Sequence, residues 1–324
     1  MKLGRLILCI AATIGALAFA AQAHAADYPN RPIKWVVGYP PGGASDYLVR
    51  AIASEMEKDL HGTIVIENKP GATGIVAASS VHQSPADGYT LLLESDGYFN
   101  NVALGEKFNF DPLDFDYLTR LAVIPNIVVV PATSPFKTIQ DLIDAAKKNP
   151  DKLQFASGGI GTGTHIATEL FMKQTGIKMV HIPYKGTQAP LIDLVAGRID
   201  VMFAGAAPAM PLIKSGQLRP IAVTSAEPIA ALPGVPPVAN TVPHYDQQTW
   251  YVAMAPKGLS APVKDSLVHA LHQALDTDSV KTAIAKFGFV ASPTTPEQFA
   301  GFLKTTIEST KEIGKEANIN LRGN

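Results

Sequence analysis

A single cysteine, Cys9, stands in the 324 residues, and it lies in an N-terminal stretch expected to be removed. Lys2 and Arg5 precede an apolar run from Leu6 to Ala21, and Ala23-His24-Ala25 gives the small-x-small pattern at which a secretory signal peptide is cut. The run is short and rich in alanine, and no stop-transfer charges follow it. Export with cleavage after Ala25 is therefore expected in place of a membrane anchor. The leucines and isoleucine before Cys9 are not the small residues of a lipoprotein signal. From Ala26 onward the chain has no thiol, no disulfide and no cysteine metal ligand.

Charge is the second shortage. Without Lys2 and Arg5, 25 of the 27 basic residues remain against 28 acidic ones, and no lysine or arginine cluster supplies the electrostatic footprint of a nucleic-acid binder. Long apolar runs are missing too. After the signal none reaches the ~18 residues of a membrane span, so a soluble, exported, periplasmic protein is expected. Its length favours two lobes over one.

What is present is an alternation of apolar strand-like runs with amphipathic helical stretches, the pattern of α/β layers around mixed, mostly parallel sheets. Ile33 to Val37 reads as a strand. After the loop Tyr39-Pro-Pro-Gly-Gly-Ala-Ser-Asp46, apolar residues recur at 3.6 spacing from Leu48 to Leu60, and Gly62 is expected to end that helix. Thr63 to Glu67 and Thr90 to Leu93 read as further strands, and Ser95 to Asn101 as a polar loop. The extended segment Phe115 to Val130 is too long for one sheet and is broken near Pro125, which makes it a candidate crossover. A second set of units follows, containing the loop Ser157-Gly-Gly-Ile-Gly-Thr-Gly-Thr164 before another helix. Trp250 to Ala255 reads as a returning strand. The expected organisation is one discontinuous lobe, 26–124 with 248–324, and a second lobe, 125–247, joined by two hinge crossings.

The two glycine-rich loops carry the chemistry. A helix N-terminus presents unpaired backbone N–H groups and a partial positive charge, so it binds anions without a basic side chain. Gly42, Gly43, Ala44 and Ser45 fit this in the first lobe, as do Gly161, Thr162, Gly163 and Thr164 in the second; glycines serving only tight turns are the plainer alternative. Nucleotide readings fail on spacing. Thr164 stands where a P-loop needs lysine, and where a dinucleotide loop needs its third glycine. Enzyme motifs such as G-x-S-x-G and H-E-x-x-H are missing. Ser157 with His165 remains the one candidate hydrolase pair, against a histidine that packs or hydrogen-bonds locally. His61 and His82 read as helix ends. Lys185 is a candidate anion partner or a solvated lysine. Tyr39, Tyr98, Phe99 and Trp250 are candidate pocket walls, or core. Asp46 is the awkward residue, an acid beside an expected acid site, favoured there by the helix dipole or by a ligand donor.

Five motifs in order resemble the Bug, or TctC-like, substrate-binding proteins of tripartite tricarboxylate transporters. They are Tyr39-Pro-Pro-Gly-Gly-x-x-Asp46, Asn68-Lys-Pro-Gly-Ala-x-Gly74, Ala86-Asp-Gly-Tyr-Thr-Leu91, Ile182-Pro-Tyr-Lys-Gly186 and Leu218-Arg-Pro-Ile-Ala-Val-Thr224. The resemblance implies a type II-like "Venus flytrap" that closes on a small carboxylate and delivers it to a membrane permease, as a monomer and without cofactor, metal or catalysis. The expected ligands are di- or tricarboxylates, aromatic acids or acidic amino acids. The implied contacts are Tyr39, Pro41, Gly42, Gly43 and Asp46, facing Ser157, Gly161, Thr162, Thr164 and His165. Ser95, Lys185, Gly186, Ala204 and Gly205 are implied more weakly. Ala226-Glu227-Pro228 departs from the family pattern on a surface connection. A module that signals to a membrane sensor would have the same lobes.

Overall fold

The computed structural model describes residues 28–319 and 321, so the expected signal peptide falls outside the described residues. Strand β1 (Ile33–Val37) pairs in parallel with β2 (Ile64–Asn68) and with β3 (Thr90–Ser95). Helix α1 (Ala44–Leu60) crosses from β1 to β2 and buries Leu48, Val49, Ile52, Ala53, Met56 and Leu60, one face of a 3.6-residue period. His61, not Gly62, takes the left-handed conformation at its end, with φ 49°. Helix α2 (Ile75–His82) links β2 to β3.

Ser95 to Asn101 is not a loop. Ser95 caps helix α3 (Asp96–Ala103), its hydroxyl accepting from Gly97 N at 3.3 Å. This helix buries Tyr98 and Phe99 in an aromatic cluster with Phe115, Trp250 and Phe299. Those two rings are core, which corrects their candidacy as pocket walls.

Strand β4 (Phe115–Pro131) runs 17 residues, about 56 Å at a strand's rise per residue. It belongs to two sheet halves. Phe115 to Pro125 pairs antiparallel with β9 (Gln248–Pro256), whereas Asn126 to Pro131 pairs with β7 (Val201–Gly205) and β8 (Leu218–Val223). The change of partner falls between Pro125 and Asn126, and Pro125 stands opposite Gln248, so both chain crossings lie side by side. Thr224 fastens this point: Asn126 N donates to its hydroxyl at 2.8 Å, Thr224 N donates back to Asn126 O at 3.0 Å, and Gln247 N donates to Thr224 O at 3.0 Å.

The strand order is β2-β1-β3-β9-β4-β7-β5-β6, with β5 (Gln154–Ser157) and β6 (Val180–Pro183) parallel. Helices α4 (Ile139–Lys148), α5 (Gly163–Thr175), α6 (Gln188–Val195) and α7 (Ala206–Lys214) accompany the second half, whose core includes Phe155, Phe171, Phe203 and Tyr245. After β9 the chain returns to the first half through α8 (Ala261–Asp276), α9 (Asp278–Ala285), the short β10 (Val290–Ala291), which pairs with β4, and α10 (Pro296–Glu316). Capping boxes start α4 and α10, at Thr138/Asp141 and Thr295/Gln298, each worth about 1 kcal/mol. Helix α10 packs on α3 and also reaches the second half, where Lys173 on α5 pairs with Glu316 at 3.1 Å. Among the described residues no helix is long and apolar enough to cross a membrane.

Candidate functional site

Parallel strands β1, β3, β5 and β7 end toward one line, and the glycine-rich loops begin there. In a parallel α/β sheet this carboxyl edge is where ligands sit, because the helix N-termini that follow point their N–H groups at it.

The two loops share one internal device. Gly42 has φ 77° and Gly161 has φ 78°, a left-handed conformation that glycine adopts without a Cβ penalty. In each loop that glycine's N–H donates to the side chain four residues on: Gly42 N to Asp46 Oδ2 at 3.0 Å, and Gly161 N to His165 Nδ1 at 3.2 Å. The side chain reaches back from the first turn of the following helix and fixes the loop. Asp46 also accepts from Arg50 Nε at 3.0 Å, and this guanidinium outweighs the upward push of burial and, with help from the Gly42 amide, holds its carboxyl below the usual range. So Asp46 has a partner of its own, and its place beside an anion site needs no ligand cation. Pro41, Gly42 and Gly43 are exposed, while Ser45 is buried.

In the second loop, Thr162 Oγ1 donates to Gly159 O at 2.7 Å and Gly158 N donates to Thr164 Oγ1 at 3.1 Å. Ser157 does not pair with His165. Its Oγ lies 2.7 Å from His181 Nε2, and the His165 and His181 rings stack at 4.0 Å. Burial, then the neighbouring His165, pushes His181 down to about 3, so it is neutral at any ordinary pH. His165 is 2% exposed, with its second nitrogen 3.4 Å from Glu169. The candidate hydrolase pair is thus replaced by a packed imidazole stack that supports the loop.

With Gly42, Gly158 and Gly161 amides bonded inside their loops, the remaining donors are the first-turn N–H groups of α1, at Ala44 and Ser45, and of α5, at Gly163 and Thr164. Lys185 and Gly186 are exposed on the turn after β6, where Gly186 N donates to Gly158 O at 3.0 Å and backs the second loop. Ala204 is buried within β7, and Gly205 caps α7 opposite Asn126. Trp250 sits 3% exposed against Phe99, Phe299 and Phe302, and borders a separate cavity of about 350 Å³ between α5, β9 and α10. Of the four candidate aromatic walls only Tyr39 stands at the loops, with Oη 2.7 Å from Ser95 Oγ and 3.3 Å from Glu94 Oε2.

Sequence reading missed the wall beside Tyr39. Glu94 is fully buried, and a Cβ on Gly74 would collide with its carboxyl. Asp96 is 3% exposed, and its Oδ2 packs against Gly163 of the second loop, as does Thr249 Oγ1. Burial raises Glu94 well above its ordinary range and Asp96 to about 7. The signal was available: Glu94-Ser95-Asp96 ends an otherwise apolar run, and two acids at the carboxyl end of a buried strand have no structural reason to be there.

The family model for the tripartite tricarboxylate transporter family receptor, TctC, matches residues 48–319. The chain belongs to this family. BugT of Bordetella pertussis is 30% identical over 326 residues, 99% of this chain and all of that one. A solved periplasmic transporter is 33% identical with a TM-score of 0.76, covering 91% of this chain and 99% of its own. An R. palustris protein solved with adipate is 31% identical (TM-score 0.78, 91% and 99% covered), and MatC from Rhodopseudomonas palustris with bound malate is 27% identical (TM-score 0.73, 88% and 99% covered). This TctC-family chain has the α/β periplasmic binding protein fold, a curled mixed sheet with flanking helices. It is a solute-binding protein and not an enzyme, as its fold neighbours are.

Proposed function

We propose that this receptor captures a small carboxylate between the loops Tyr39–Asp46 and Ser157–His165 by closure of two lobes, 26–124 with 248–324 against 125–247, and hands it to a membrane permease from the periplasm. The observation that carries the reading is the matched pair of loops. Each holds a left-handed glycine by a side chain four residues on, and each aims the first-turn N–H groups of a helix at the same edge. Fixed amides of this kind stabilise a carboxylate with little reorganisation, because their dipoles are already oriented. Adipate and malate in two relatives of the same fold support this ligand class. The change of strand partner at Pro125 and Asn126, beside Gln248, supports a two-strand hinge.

A ligand bound only by the native state stabilises it by RT ln(1 + [L]/Kd), about 2.7 kcal/mol at a hundredfold excess over Kd. Thermal melts of the mature protein against mono-, di- and tricarboxylates, aromatic acids and acidic amino acids are expected to give a rise of several degrees with at least one of them. A melting temperature unmoved by the whole panel would overturn the reading.

A further inference from the structure

The lobe-one face of the seam is acidic, an unusual surface to set opposite an anion clamp. Glu94 Oε1 and Asp96 Oδ2 are buried oxygens without a hydrogen-bond partner. Among the described residues no lysine or arginine contributes to the electrostatics of either acid. Asp46 also has one open oxygen, Oδ1, but its charge is met by Arg50 at Oδ2, a partner the other two acids lack. A buried carboxyl left with an open acceptor is costly, and natural cores rarely retain one without use.

Position gives the use. Asp96 Oδ2 and Thr249 Oγ1, from α3 and β9 of the first half, both abut Gly163, the first residue of α5, where a Cβ would collide with them. Gly163 is the residue whose N–H belongs to the second jaw, and its lack of a side chain is what lets these oxygens lie against it. Behind them Ser95 Oγ, Tyr39 Oη and Glu94 continue the polar wall away from the seam. The first half therefore adds a wall of acceptors beside its own amide jaw, opposite the amide donors of α5.

We infer that Asp96, with Thr249 and the Glu94–Tyr39–Ser95 group behind it, reads a protonated amine, so that the preferred ligand is a carboxylate that also carries an ammonium group. The inference rests on the carrier reading above. An ammonium has three N–H donors and a charge, and so satisfies several convergent acceptors at once; a hydroxyl has one donor and no charge, and a simple dicarboxylate brings only further negative charge.

The test is isothermal titration with ligand triples that differ in one group: L-aspartate, malate and succinate; L-glutamate, 2-hydroxyglutarate and glutarate; L-phenylalanine, phenyllactate and phenylpropionate. In at least one triple the amine-bearing acid is expected to bind tenfold or more tighter than both partners. Asp96→Asn, close in shape and checked for folding by its melting curve, is expected to abolish that preference, and Thr249→Val to reduce it. Hydroxy or unsubstituted acids binding as tightly as the amine in every triple that binds would overturn this inference and leave the carrier reading standing. A preference that survives Asp96→Asn in a folded protein would overturn it as well. Binding of no member of any triple would overturn this inference, and the carrier reading falls with it only if the wider carboxylate panel also leaves the melting temperature unmoved.

Discussion

Asp46 and His165 occupy equivalent places, and their chemistry explains why an acid and an imidazole serve equally. Each needs only one acceptor atom aimed at a glycine N–H four residues back. That role was invisible in the sequence, where Asp46 stood as an acid beside an acid site, because spacing gives no hint that a loop amide turns inward. Asp96 is the opposite case, an acid whose cost is exposed by its pKa. Burial holds it at about 7, above the ordinary 3.8, so the folded state keeps a proton that the unfolded chain releases. Stability is fully present below about 4 and is lost as pH rises through about 7. Neighbouring Glu94 is raised by its own burial, so its contribution to stability has the same sign. Asp96→Asn is therefore expected to make the ligand-free protein more stable at pH 8 by up to a few kcal/mol, with little change at pH 4, in chemical denaturation followed across pH. Parallel profiles for the two proteins would contradict a buried, protonated Asp96.

Among the elements, β4 was the most legible. Seventeen extended residues with a proline in the middle cannot remain in one sheet, and the partner change falls beside that proline. Helix α1 was legible from its 3.6 period. Helix α3 was not, since Ser95-Asp-Gly-Tyr-Phe-Asn-Asn is poor in helix formers and rich in turn residues; it forms because Phe99 buries against Trp250 of β9 and Phe299 of α10, and Tyr98 against Phe108, a tertiary cause that local propensity does not contain. The hinge yields a prediction of its own. Thr224→Val keeps the side-chain volume but removes the acceptor for Asn126 N and the hydroxyl that donates to Asn126 O at 3.2 Å. A buried N–H losing its partner costs about 1–3 kcal/mol, which urea denaturation should register; an unchanged midpoint would mean that strand pairing alone fastens the crossing.

For the whole molecule, the two-half architecture followed from the repeated strand, glycine loop and helix, and from a chain that leaves one sheet and returns to it. The two glycine-rich loops were equally legible as strand-to-helix turns, since each precedes an amphipathic helix. The acidic wall was not assembled by sequence reading because its members come from β3, α3 and β9, more than 150 residues apart in the case of Asp96 and Thr249, and only the fold brings them together. That wall and the jaws make one claim, that the cleft holds a carboxylic acid. The most direct check is mass spectrometry of the small molecules released on denaturing the protein, purified without refolding. The account predicts an organic acid at close to one per chain. A stoichiometric ligand without a carboxylate would contradict it.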